Sequence, residues 1–183
     1  MESIFNVAWG LKGLEDVMNI HPLFVHFPIA LLLTSVAFCF LGSLFKKEEL
    51  LTAAKWVLYF GTLAAAVTVW TGLKAEATVS HGGGMHDTME AHQYIGFTVL
   101  GLSILLSLWV FLSKNRIPEK GRALFLVVLA LLAALLIQGA DLGGRMAFLN
   151  GVGIGRKSML SKDAHHSHRH HDSQIPDAVH GER

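Results

Sequence analysis

Residues 23–45 read LFVHFPIALLLTSVAFCFLGSLF, an apolar run without a single Lys, Arg, Asp or Glu. Its length decides the fold class. About 20 apolar residues rising 1.5 Å each span the ~30 Å hydrocarbon core of a bilayer. Working outward, three more runs meet that standard, roughly Trp56 to Ala75, Gln93 to Leu112 and Ala123 to Leu142, and none carries Lys or Arg in its middle. Together they predict an all-α protein: a four-helix transmembrane bundle over residues 21–155. The composition agrees, with 52% hydrophobic residues in a chain of 183 and a mean hydropathy of +0.46.

The flanks differ from this core. In residues 1–20, Ile4, Val7, Leu11, Leu14 and Met18 recur at helical spacing between Glu2, Lys12 and Asp16, which predicts an N-terminal interfacial amphipathic helix. No continuous apolar core marks a cleavable signal there, so the first span is expected to direct insertion. After Gly155 the apolar pattern stops, and residues 156–183 are expected to form a disordered His-rich C-terminal tail. Cys39 lies mid-span, alone, and reads as a small core residue. The net charge of +1 forms no basic face, so nucleic acid is not expected as a partner; the lipid bilayer is.

Loop charges predict the orientation. Lys46, Lys47 and Lys55 flank the first loop, and Lys114, Arg116, Lys120 and Arg122 fill the third. The positive-inside rule puts both in the cytoplasm and both termini outside, periplasmic for a bacterial inner membrane. Arg145, Arg156, Lys157 and Lys162 after the last span oppose that assignment.

Five histidines then gather at one end of the bundle: His21, His26, His81, His86 and His92. Imidazole binds metals and titrates near neutral pH, and a polar group at membrane depth is costly enough to signal function. His26 and His92 each fall about one turn inside a span, and their two spans run in the same direction, so the pair is expected to share a ligand. His21 is left as a capping or supporting group, and His81 and His86 sit beside the Gly82-Gly83-Gly84 loop. Spacings of five exclude an i, i+4 metal pair on one helix. Asp87 and Glu90 resemble an N-cap and its N3 partner.

Gly61, Ala65, Thr68 and Gly72 form a small-residue stripe on the second span, and Gly96 lies one turn from His92. Close helix packing explains such a stripe; a flat cofactor resting on it is the alternative. Arg145, four residues from Asp141, is expected to pair with that carboxylate or with a haem propionate. In the tail, His165, His166, His168, His170 and His171 read either as a weak site for zinc or copper or as solvated low-complexity sequence.

His21-Pro22-Leu23-Phe24-Val25-His26-Phe27-Pro28-Ile29-Ala30, Thr71-Gly72, His92, Leu142-Gly143-Gly144 and Gly151-Val152-Gly153 resemble the bacterial membrane family catalogued as domain of unknown function 2231. The resemblance covers roughly residues 20–155. It implies the four-span fold and the placing of His26 and His92, and no reaction.

Three functions remain open at this level. The first is a b-type haem held by His26 and His92, with Gly96 and Arg145 beside it, passing electrons to a redox partner or within a larger membrane complex rather than converting a substrate. The second is a non-haem protein binding or delivering zinc or copper. The third is a structural accessory subunit of a membrane complex, its histidines merely hydrogen-bonded.

Overall fold

The computed structural model describes residues 20–76 and 85–150. Five helices follow one another: α1 (His21–Phe24), α2 (His26–Phe45), α3 (Glu48–Glu76), α4 (Met85–Leu112) and α5 (Arg122–Asn150). α1 and α2 make up one span, and α3, α4 and α5 supply the other three. Consecutive helices pack side by side and α5 closes against α2, so the four spans form a ring. Large apolar side chains such as Leu44, Leu63, Leu105 and Leu131 point outward. Water would make that surface unfavourable by about 25 cal/mol per Å², whereas lipid tails accept it. The protein is a multi-pass membrane protein.

Helix extents exceed the apolar runs. α3 begins at Glu48 rather than near Trp56, and α4 at Met85, which puts Asp87 inside the first turn and not at an N-cap. α5 continues past Leu142 through Gly143 and Gly144 to Asn150. Hydropathy reports only the part of a helix that lies in hydrocarbon, while the polar turns beyond it keep their i→i−4 hydrogen bonds. The expected amphipathic helix, His81, Gly151-Val152-Gly153 and the tail histidines lie outside the described residues, as does the side chain of His86.

Close packing marks the first hairpin. A Cβ placed on Gly61 would stand 2.7 Å from Leu32 Cδ2, and one on Gly42 would stand 2.8 Å from Leu51 Cδ2. Part of the small-residue stripe is therefore a packing device, as expected. Gly61→Leu should part α2 from α3 and lower stability by about 1–3 kcal/mol. An unchanged thermal midpoint in detergent would refute that reading.

Hydrogen bonds inside the bundle join neighbouring spans. Ser35 Oγ donates to the Ala54 carbonyl at 2.9 Å, and the hydroxyls of Thr62 and Ser107 meet at 2.9 Å. At the end opposite the histidines, Lys46 takes the left-handed conformation with φ 53° and links α2 to α3 in two residues. The longer α4–α5 connection is tied down by Tyr59, whose hydroxyl donates to Asn115 Oδ1 at 2.9 Å. Gly121 has φ +82° in that connection and lies under Trp109, which leaves no space or conformation for a side chain.

Candidate functional site

Pro28 sets up the site through what it lacks. Its missing N–H would otherwise bond to the carbonyl of Phe24, four residues back, and its absence interrupts the helical hydrogen bonding between α1 and α2, although Val25 keeps right-handed helical dihedrals (φ −60°, ψ −29°). A carbonyl freed at membrane depth needs another donor. Thr68 of α3 provides it, donating from Oγ1 to Phe24 O at 3.1 Å. His21, the first residue of α1, lies against α3.

His21 is then fixed by the same stretch of α3. Its Nδ1 lies 3.1 Å from the Thr68 carbonyl and 3.3 Å from Thr71 Oγ1. The Thr71 hydroxyl itself donates to Thr68 O at 2.9 Å. A carbonyl can only accept, so Nδ1 carries the proton and Nε2 keeps its lone pair in the neutral ring. Gly72 makes room: a Cβ there would stand 3.0 Å from His21 Cε1.

His92 of α4 is held the same way by α5. Its Nδ1 donates to the Gly139 carbonyl at 3.0 Å, and a Cβ on Gly143 would lie 3.3 Å from its Cε1. Its Nε2 is likewise left without a hydrogen bond among the described residues. The two half-buried rings face each other with centroids 6.4 Å apart and planes at 84°.

Both rings line a cavity of about 560 Å³ bounded by all four spans. Its walls are mostly apolar, with Val69, Ile95 and Leu136 among them, and Gly96 opens one side, where a Cβ would meet only Val69 at 4.0 Å. Glu76 and Gln93 contribute polar groups, joined by a hydrogen bond of 3.1 Å from Gln93 Nε2 to Glu76 Oε2. The cavity thus has the ordinary form of a ligand site: apolar walls with a few fixed polar groups.

This geometry bears on two expectations: it sets His21 against His92 where His26 was expected, and of the two partners expected for Arg145 it shows the Asp141 carboxylate. The ring that meets His92 belongs to His21, whereas His26 lines the same cavity, is exposed, and makes no hydrogen bond among the described residues. The helix runs on through Val25 in right-handed conformation, so His21 and His26, five residues apart, point roughly 140° from each other and do not share a face. Arg145 is paired with Asp141 at 3.4 Å on an exposed surface and does not line the cavity. Positions 141 and 145 each lie two residues, roughly 200° of helix, from the inward-facing Gly139 and Gly143. Sequence reading also missed Thr68 as a brace; counting the carbonyl left over by Pro28 is the signal that finds it.

Thr68→Val removes the hydroxyl that satisfies Phe24 O while keeping the side chain's shape. The expected cost is about 1 kcal/mol, typical of one hydrogen bond inside a membrane protein, read as a lower thermal midpoint. No change would mean that the Phe24 carbonyl finds water instead.

Among the described residues, no group of three or more His, Cys, Asp or Glu side chains is placed to hold a metal ion. Two imidazoles face each other in the site, and His26 and the Glu76 carboxylate line the same cavity. No curated protein and no solved structure shows significant similarity to the chain. The family model for a predicted membrane protein, DUF2231, matches residues 17–156, and with more than half its length matched the chain belongs to that family.

Proposed function

We propose that the protein is a b-type haem-binding electron-transfer protein of the bacterial inner membrane, with His21 and His92 as its two axial ligands. The observation that carries this reading is the matched pair of imidazoles, each with Nδ1 committed to a backbone carbonyl and Nε2 without a hydrogen bond among the described residues. Metal-bound histidines are fixed in this manner, the outer hydrogen bond setting tautomer and ring direction. A centroid separation of 6.4 Å is close to two metal–nitrogen bonds of roughly 2 Å each plus two ring radii.

The donor count favours haem over a bare ion. A zinc site usually takes at least three protein ligands, and among the described residues no three donor side chains are grouped. A porphyrin brings four nitrogens of its own and needs only the two axial ones, and the apolar cavity suits its faces. His21 and His92 would together hold the haem and leave it no open position for oxygen, so that the chemistry it would supply is electron transfer. Loop charges favour a periplasmic placing of this end of the bundle.

The detergent-purified full-length protein, expressed with ample haem, should show a Soret band and a low-spin bis-histidine spectrum; absence of the band overturns the proposal. The near-perpendicular rings add a second expectation. Electron paramagnetic resonance of the oxidised protein should give a strongly anisotropic low-spin signal, its largest g value well above that of a centre with parallel imidazoles.

A further inference from the structure

The spacing within the two half-sites is the same. His21 reaches the carbonyl of Thr68 and His92 that of Gly139, in each case 47 residues further along. The glycine beneath each ring, Gly72 or Gly143, follows four residues after that carbonyl. The histidine, the carbonyl that holds it and the glycine beneath the ring therefore recur in the second half-site at one offset, the 71 residues that separate His21 from His92, whereas the hydroxyls of Thr68 and Thr71 have no counterpart in Gly139 and Leu142.

The same offset carries most of the core of the first hairpin onto that of the second, with Gly42, Leu51 and Thr71 falling on the half-buried Ser113, Arg122 and Leu142. Buried Pro28, Leu32, Ser35 and Cys39 of α2 correspond to Val99, Ser103, Leu106 and Val110 of α4, all buried. Buried Ala54, Leu58, Gly61, Ala65 and Ala75 of α3 correspond to Phe125, Leu129, Leu132, Leu136 and Met146 of α5, again all buried. Helical periodicity alone would align one pair of helices at several offsets. That one offset aligns both pairs requires equal chain length through the two connections as well, although these are built differently: one is a two-residue link and the other a longer loop.

We infer that residues 21–76 and 92–147 are two copies of one helical hairpin, related by a pseudo-two-fold axis along the bundle. The ligand of the site lies on that axis and takes one imidazole from each copy. Both hairpins run in the same direction through the ring, which is the arrangement of parallel repeats about an axis normal to the membrane. A ligand shared across such an axis must offer two equivalent, opposed positions, as a six-coordinate metal centre in a planar macrocycle does. The placing of the ligand rests on the haem reading; the repeat itself does not.

Side chains of the copies have diverged where the symmetry does not need them. Thr68 and Gly139 differ, yet both present a carbonyl. Leu32 and Ser35 of one copy answer to Ser103 and Leu106 of the other, an exchange of polar and apolar positions. Small Ala54, Gly61 and Ala65 face bulky counterparts in Phe125, Leu132 and Leu136, so volume lost in one half is regained in the other.

Two measurements on the full-length protein test this. First, haemin is titrated into the apoproteins of His21→Met, His92→Met and His26→Met. Equivalent ligands require the first two to give the same methionine–histidine low-spin spectrum with affinities within about threefold of each other, and the third to keep the bis-histidine spectrum. A bis-histidine spectrum surviving in either of the first two variants, or affinities more than about tenfold apart, overturns the axial placing. Second, in a Cys39→Ala background, spin labels are placed at Phe40→Cys with Leu63→Cys, or at the corresponding Phe111→Cys with Ala134→Cys. The repeat requires the two distance distributions to coincide, and separate distributions overturn it. Should the wild-type protein take up no haem, the functional reading falls, and the label distances still decide the repeat.

Discussion

His21→Ala and His92→Ala should each abolish the low-spin spectrum and weaken haem retention by more than about 100-fold, beyond the 10- to 100-fold typical of losing an outer hydrogen-bond partner. Each imidazole is one of two that face each other across the cavity at 6.4 Å, and no other titratable side chain bonds to either ring among the described residues. Free imidazole should restore a low-spin spectrum in both variants, because the truncated side chain leaves room for it. His26→Ala should leave the spectrum as it is, since His26 is exposed and unbonded. Retention of haem by His21→Ala together with its loss from His26→Ala would refute the assignment and restore the pairing that helix direction alone suggests.

Gly143→Leu should be nearly as damaging to the site while leaving the fold in place. The Cβ alone would press on His92 Cε1 at 3.3 Å, and the branched carbons beyond it would enter the space the ring occupies. The ring must then leave Gly139 O, which costs the hydrogen bond that sets its tautomer and direction. Gly144→Leu is the control, since a Cβ there meets nothing within 4 Å. Loss of the Soret band in the first variant, with helical circular dichroism unchanged in both, is the expected outcome. Equal haem content in the two variants would show that the glycine is not a seat for the ring.

The four spans were legible because hydrocarbon selects composition directly: a run such as residues 23–45 admits no other reading. Helix ends were not, since Glu48–Leu51 and Met85–Ala91 lie where polar side chains are tolerated and their helicity leaves no hydropathic trace. His92 was legible by its depth in a span. His21 was not, because it stands before the apolar run and its place is fixed by bonds to α3 that spacing along the chain does not reveal. The small-residue stripe divided in two: Gly61 and Ala65 pack helices, as the simpler reading held, while Thr68 and Gly72 seat the ring of His21. Identical residues at the 71-residue offset are sparse, His21 with His92 and Gly72 with Gly143 among them, so the repeat emerges from burial rather than from letters.

Both imidazoles are anchored to main-chain oxygens, and a main-chain oxygen survives every substitution at its own residue. Thr68 and Gly139 have drifted apart in side chain without changing what they present to the ring. The anchors can be lost only by moving a helix, an outcome the packing of the whole bundle resists. What each position presents to the ring is thus main chain, while its side chain answers to other needs: the Thr68 hydroxyl braces Phe24 O, and a Cβ on Gly139 would stand 3.2 Å from Ile95 Cγ2.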